Sequence, residues 1–133
     1  VSSFVSARHH HSERRDPGAL GVDRRLARLD PGNWRISSST RSERRLGVEL
    51  RPAARKLALL VDAFLAVAST ASWDDKAADE HGKLRAALRT RGEPIGDFDE
   101  MIAAHALALD AVLVTDNIKH FCRVPRLLLE SWC

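Results

Sequence analysis

The sequence predicts one α/β domain in which a parallel sheet lies between layers of helices. Three observations carry this. Segments with helical spacing alternate with short apolar runs along most of the chain, the pattern of strand and helix units around a sheet. The run Ala111 to Val114 is apolar throughout, as a strand covered on both faces requires. The length, 133 residues, is that of a single domain with a real core, here taken as 1–133.

The elements follow in order. Val1 to Val5 is short and mostly apolar or small. Residues 6–18 are polar and basic and close on Asp16-Pro17-Gly18, which is turn chemistry. Leu20, Leu26 and Leu29 have helical spacing with Arg24, Arg25 and Arg28 outward. Asp30-Pro31-Gly32-Asn33 breaks that helix, and Trp34 to Ser37 reads as a short strand. Ser39 or Thr40 is expected to cap the next helix, with Glu43 in its first turn and an end near Gly47. Pro52 suits the first turn of the helix after it, which continues through Leu57, Leu59, Leu60, Phe64 and Leu65.

Ala71 to Trp73 is a short strand. Asp74 or Asp75 caps a helix with Ala78, His81, Leu84 and Leu88 at steps of three and four, and Gly92 ends it. Asp97 is expected to cap a helix whose buried stripe is Ile102, Ala106 and Leu109. Ala111 to Val114 is the next strand. Phe121 to Val124 reads as a connector and Leu127 to Leu129 as the final strand.

Composition narrows the function classes. The hydrophobic fraction is 44%, ordinary for a globular domain. No apolar run approaches the ~20 residues of a membrane span, and the first residues lack the apolar core of a signal peptide. A cytoplasmic protein without a membrane partner is expected. In that reducing setting the two cysteines, Cys122 and Cys133, are read as free thiols. Residues 1–70 carry 13 Lys/Arg against 7 Asp/Glu, and residues 71–133 carry 8 against 11. A basic half beside an acidic half fits a protein that attracts a polyanion while holding metal-binding carboxylates. A merely solvated surface gives the same counts.

The chemistry concentrates near the C-terminus. Asp99 sits in the first turn of its helix, on the stripe of Ile102 and Ala106, so it faces inward and needs a partner. Thr115-Asp116-Asn117 follows a buried strand, and in an open parallel sheet sites form at the carboxyl ends of strands. Carboxylates gathered there suit Mg²⁺ or Mn²⁺ rather than zinc. Glu43 is open between a site acid and an ion pair with Arg41, Arg44 or Arg45. His9-His10-His11 carries no specific metal-site pattern. His105, among alanines, reads as a packed or solvent-facing residue. No Gly-rich phosphate loop is present.

The run Pro94-Ile95-Gly96-Asp97-Phe98-Asp99-Glu100-Met101-Ile102-Ala103-Ala104-His105-Ala106 resembles the PIN-domain toxins of the VapC type. So do Leu113-Val114-Thr115-Asp116-Asn117 with Phe121, Arg123-Val124-Pro125, and Leu129-Glu130-Ser131-Trp132. Ile36 to Glu49 is similar to that family's second acidic motif, and the likeness spans roughly residues 30–132. The resemblance implies a PIN-like three-layer sandwich and a Mg²⁺-dependent endoribonuclease, Mn²⁺ serving in its place. It further implies a homodimer, an RNA substrate and inhibition by a cognate VapB-type antitoxin. It makes Asp99, Glu43, Asp116 and Asn117 the catalytic residues. Asp99, Glu43 and Asp116 then hold metal, and Thr115, Arg41 and Arg44 position the substrate. The family opens on a short strand ending in Asp-Thr-Asn. This chain has no Asp before Asp16, so the first strand and first acid are expected to be missing. A catalytically impaired remnant that still binds an antitoxin is the alternative.

Overall fold

The computed structural model describes residues 3–6 and 31–131. The expected helix over Leu20 to Leu29, the His9 to His11 run and Cys133 lie outside these residues. A five-stranded sheet has the order β3-β2-β1-β4-β5. Its strands are β1 (Ser3–Ser6), β2 (Trp34–Ser37), β3 (Thr70–Ala71), β4 (Ala111–Val114) and β5 (Leu128–Glu130). The helices are α1 (Ser38–Glu49), α2 (Arg55–Val67), α3 (Asp75–Thr90), α4 (Asp97–Ala108) and the single turn α5 (Ile118–Phe121).

The pairs β2–β3 and β4–β5 are parallel, as expected. The slot expected to lack its strand holds β1, which runs antiparallel to both β2 and β4. The sheet is therefore mixed rather than parallel throughout. Main-chain pairing is satisfied in either direction, and this register sets Phe4 opposite Leu113. Both side chains join the same core.

Helices cover both faces, and each face has its own core. On one side Phe4, Leu84, Leu88, Ile102, Leu113 and Phe121 are buried together, beneath α3 and α4. On the other, Trp34, Ile36, Val61, Leu65 and Val114 pack with Leu57 and Phe64 of α2. Adjacent Leu113 and Val114 thus serve opposite faces, as strand geometry requires. α4 is the inner helix: Ile102, Ala103, Ala104, His105, Ala106 and Ala108 are all buried. His105 lies edge-on to Phe4 and Trp73, at 5.2 and 5.5 Å. Burial holds its imidazole below the usual histidine value, so it packs as a neutral ring.

Several boundaries differ from expectation. The cap of α1 is Ser37, whose Oγ accepts the Thr40 N–H at 2.9 Å; Ser39 and Thr40 already lie inside the helix. Gly47 is passed over, and α1 runs to Glu49. Pro52 sits in the connecting turn, and α2 begins at Arg55. Asp74 caps α3 by accepting the Ala77 N–H at 2.9 Å. Gly92, at φ +68°, closes α3. Its N–H reaches Arg89 O, and the Glu93 N–H reaches Leu88 O, a paired C-terminal cap. Gly96, at φ +103°, precedes α4 as its N-cap, so Asp97 is the first helical residue and not the cap.

α3 and α4 are also joined by charge. Arg85 Nε meets Glu100 Oε2 at 3.3 Å, with Glu100 buried. Arg85 Nη2 meets exposed Asp97 at 3.1 Å. Removing one partner strands a buried carboxylate. Arg85→Met is expected to destabilise the fold by about 2–3 kcal/mol, at the low end for a broken buried pair because Arg85 is partly solvated. Glu100→Gln in the same background should recover part of that loss. Denaturant unfolding of the parent, both single variants and the double variant measures it; additive losses would contradict the pairing.

Candidate active site

The carboxyl ends of β2 and β4 open on the same edge of the sheet, because both strands run antiparallel to β1 between them. β2 passes directly into α1, which carries Glu43. β4 passes into Thr115-Asp116-Asn117 and then α5. α4 brings Asp99 from its first turn.

Asp99 is where these elements meet. Its Oδ2 accepts a hydrogen bond from Asn117 Nδ2 at 3.3 Å and lies 3.0 Å from His120 Nδ1. Asn117 Nδ2 and His120 Nδ1 are 3.1 Å apart. The Asp99 side chain is 24% exposed, so it remains open to a ligand. Glu43 lies on an exposed part of α1; partial withdrawal from solvent and then the Asp99 carboxylate shift it upward from its ordinary value of 4.5. Nearby Arg44 partly offsets this. Glu43 thus lies within the field of both Asp99 and Arg44.

Thr115 is buried, and its Oγ1 accepts the Asn117 N–H at 3.1 Å. It holds the turn that presents Asn117. Asp116 is exposed in that same turn. Arg41 donates to Thr70 Oγ1 at 3.3 Å, and the Arg44 guanidinium lies 4.5 Å from the centre of the Phe64 ring. Both are anchored on α1 by neighbouring elements. Ser3 occupies the carboxyl edge of the middle slot, opposite Val114. It is buried, and its Oγ has no hydrogen-bond partner among the described residues.

His120 is absent from the sequence-derived set. Its signal was the spacing Asn117-Ile118-Lys119-His120, which on a helical turn places the first and last residues side by side. A single turn of helix has no apolar period by which to recognise it.

The donors at this edge are mainly oxygen, from Asp99, Glu43 and Asn117. Among the described residues no three of His, Cys, Asp and Glu are grouped to hold a metal ion. Mg²⁺ ordinarily keeps several waters and takes one or two carboxylates plus substrate phosphate. Asp99 and Glu43 fit that kind of site.

The family profile described as PIN domain matches residues 4–127. A Salmonella typhimurium protein named tRNA(fMet)-specific endonuclease VapC is 35% identical over 105 residues, covering 79% of this chain and 80% of the relative. Ribonuclease VapC2 of Rickettsia felis is 38% identical over 97 residues, covering 73% and 72%. Among solved structures, DNA-bound VapBC from Salmonella typhimurium aligns with TM-score 0.76 at 34% identity, covering 83% of each chain. VapBC2 from Rickettsia felis, bound to a promoter DNA fragment, aligns with TM-score 0.70 at 37% identity, covering 74% of each.

The raised Glu43 value has a sign that can be tested. The folded chain holds this proton more firmly than the unfolded chain. The resulting stability is present at low pH and is lost as pH rises through the raised value. In metal-free buffer, Glu43→Gln should therefore gain Tm relative to the parent as pH rises from about 4 to 7. Parallel Tm profiles for the two proteins would show that folding does not raise the proton affinity of Glu43.

Proposed function

The chain belongs to the PIN-domain family, and from that premise we propose that it is a toxin ribonuclease of the VapC type. Its activity depends on Mg²⁺, or on Mn²⁺ in its place. The observation that carries this reading is the placement of partly exposed Asp99 at the carboxyl edge of the sheet, held by Asn117 and beside His120. A carboxylate at the sheet edge, with a second acid in its field, is a natural seat for a divalent cation.

Asp99 and Glu43 hold the ion. When bound there, it acidifies a water for attack on phosphorus and offsets charge on the phosphate in an in-line displacement. Asn117 fixes the orientation of Asp99 through its Nδ2 hydrogen bond. Thr115 holds the turn that sets Asn117. Exposed Asp116 stands beside this site and is proposed as an outer participant. Arg35 and Arg45 are exposed and Arg41 and Arg44 half-buried. All four lie on β2 or α1, where they attract the RNA backbone. Arg45 also pairs with Asp62 at 2.6 Å, so Arg41 and Arg44 are the better candidates for phosphate contact.

A protein partner is part of the same proposal. Leu46 and Leu50 of the α1 segment and Leu59, Leu60 and Val67 of α2 are exposed. Apolar surface of that kind marks association sites. A VapB-type antitoxin is the partner proposed, with assembly as a homodimer. Among the described residues, no helix is long and apolar enough to cross a membrane.

The second reading is a chain of the same fold that binds the antitoxin with impaired cleavage. The sparse cluster of strong ligands among the described residues favours it. One experiment separates the two. Purified protein is incubated with total tRNA, the substrate class named for the Salmonella typhimurium relative, with Mg²⁺, with Mn²⁺ and with EDTA. Cleavage should require the ion. Asp99→Asn should reduce it at least about a hundredfold, the scale of several kcal/mol of transition-state stabilisation. The circular dichroism spectrum should stay that of the parent. Absence of cleavage by the parent, with antitoxin binding intact, would favour the second reading. Cleavage unaffected by EDTA would reject the metal.

A further inference from the structure

Asp99 Oδ2, Asn117 Nδ2 and His120 Nδ1 form a nearly equilateral triangle with edges of 3.0, 3.1 and 3.3 Å. No placement of protons satisfies all three edges. If Nδ1 donates to Asp99, Oδ2 can accept from both Nδ1 and Asn117 Nδ2, and the 3.1 Å edge between those two nitrogens then sets donor against donor. If Asn117 instead donates to both neighbours, the lone pairs of Asp99 Oδ2 and His120 Nδ1 face each other at 3.0 Å. Every arrangement leaves one edge unsatisfied.

The triangle suits a cation instead. One face of an octahedral coordination sphere has edges √2 times the bond length. Bonds of about 2.0–2.1 Å, those of Mg²⁺, give edges of about 3 Å. The observed edges are equal to this or slightly longer, as for a slightly larger ion. The oxygen and nitrogen of an Asn amide exchange places when the group is turned over, so Oδ1 can take the Asn117 corner. Two oxygens and one imidazole nitrogen then share a face. The Asp99 and His120 side chains are 24% and 46% exposed, which leaves the opposite side open to water and phosphate.

We infer that His120 is a direct metal ligand, forming with Asp99 and Asn117 a facial O,O,N site that selects Mn²⁺ over Mg²⁺. The nitrogen corner sets the preference. Imidazole binds first-row transition ions, whereas Mg²⁺ favours oxygen donors alone. The inference rests on the metal-dependent reading given above and adds to it two ligands and a preferred ion: His120, and Asn117, whose amide orients Asp99 without metal and turns over to offer Oδ1 when the ion binds.

The test is Mn²⁺ binding by the full chain, followed by electron paramagnetic resonance. Pulsed spectra of the bound ion should show ¹⁴N coupling from imidazole. His120→Gln should lose that coupling and bind Mn²⁺ about tenfold more weakly, with Mg²⁺ affinity held within about twofold. His120 is half-exposed and on the surface, so the variant should fold, and its Tm without metal checks this. Bound Mn²⁺ that needs Asp99 but shows no ¹⁴N coupling would overturn the His120 assignment and leave the metal reading standing. Coupling that persists in His120→Gln would also overturn it. No Mn²⁺ binding by the parent would overturn both.

Discussion

The seating of α4 against β4 is the constraint on which the site depends. Asp99 meets Asn117 and His120 only because the first turn of α4 lies over the end of β4. Two devices fix that helix. Gly96, at φ +103°, turns the chain into it, a conformation that L side chains resist. The Arg85–Glu100 pair then ties its first turn to α3. The buried side of α4 is mostly alanine, with Ala103, Ala104, Ala106 and Ala108 all covered. Small residues let helix and sheet approach closely, so a displacement at Gly96 would be felt at Asp99 rather than absorbed by flexible side chains.

Much of this was legible in the residues, for identifiable reasons. β4 was found because four successive apolar residues have no other use, and α3 because Asp74, Leu84, Leu88 and Gly92 give cap, stripe and stop in order. Asp99 was found because an acid on a buried stripe requires a partner. The start of α1 was misplaced because Ser37, Ser38, Ser39 and Thr40 are all capping residues, and only the hydrogen bond to Thr40 N–H identifies Ser37. The start of α4 was misplaced for a similar reason: Asp97 looks like a cap, while the bend is made by the backbone of Gly96.

Strand direction and charge environment were less accessible. Nothing in Ser3 to Ser6 encodes the direction of β1, since Phe4 is buried against Leu113 equally well once the register is set. The influence of Asp99 on Glu43 acts between helices far apart in sequence, and the arginines flanking Glu43 argue locally for a plain ion pair. His120 was missed because its meaning comes from Asp99, which lies on another element.

Asp99, Glu43 and the Asn117 turn are proposed to make one cation site at the carboxyl edge of the sheet. Anomalous diffraction from crystals grown with Mn²⁺ tests it most directly. The account predicts a peak at coordination distance from Asp99, with Glu43 bound to the same ion directly or through one water. A peak elsewhere, or no peak with Glu43 turned toward its arginines and away from Asp99, would contradict it.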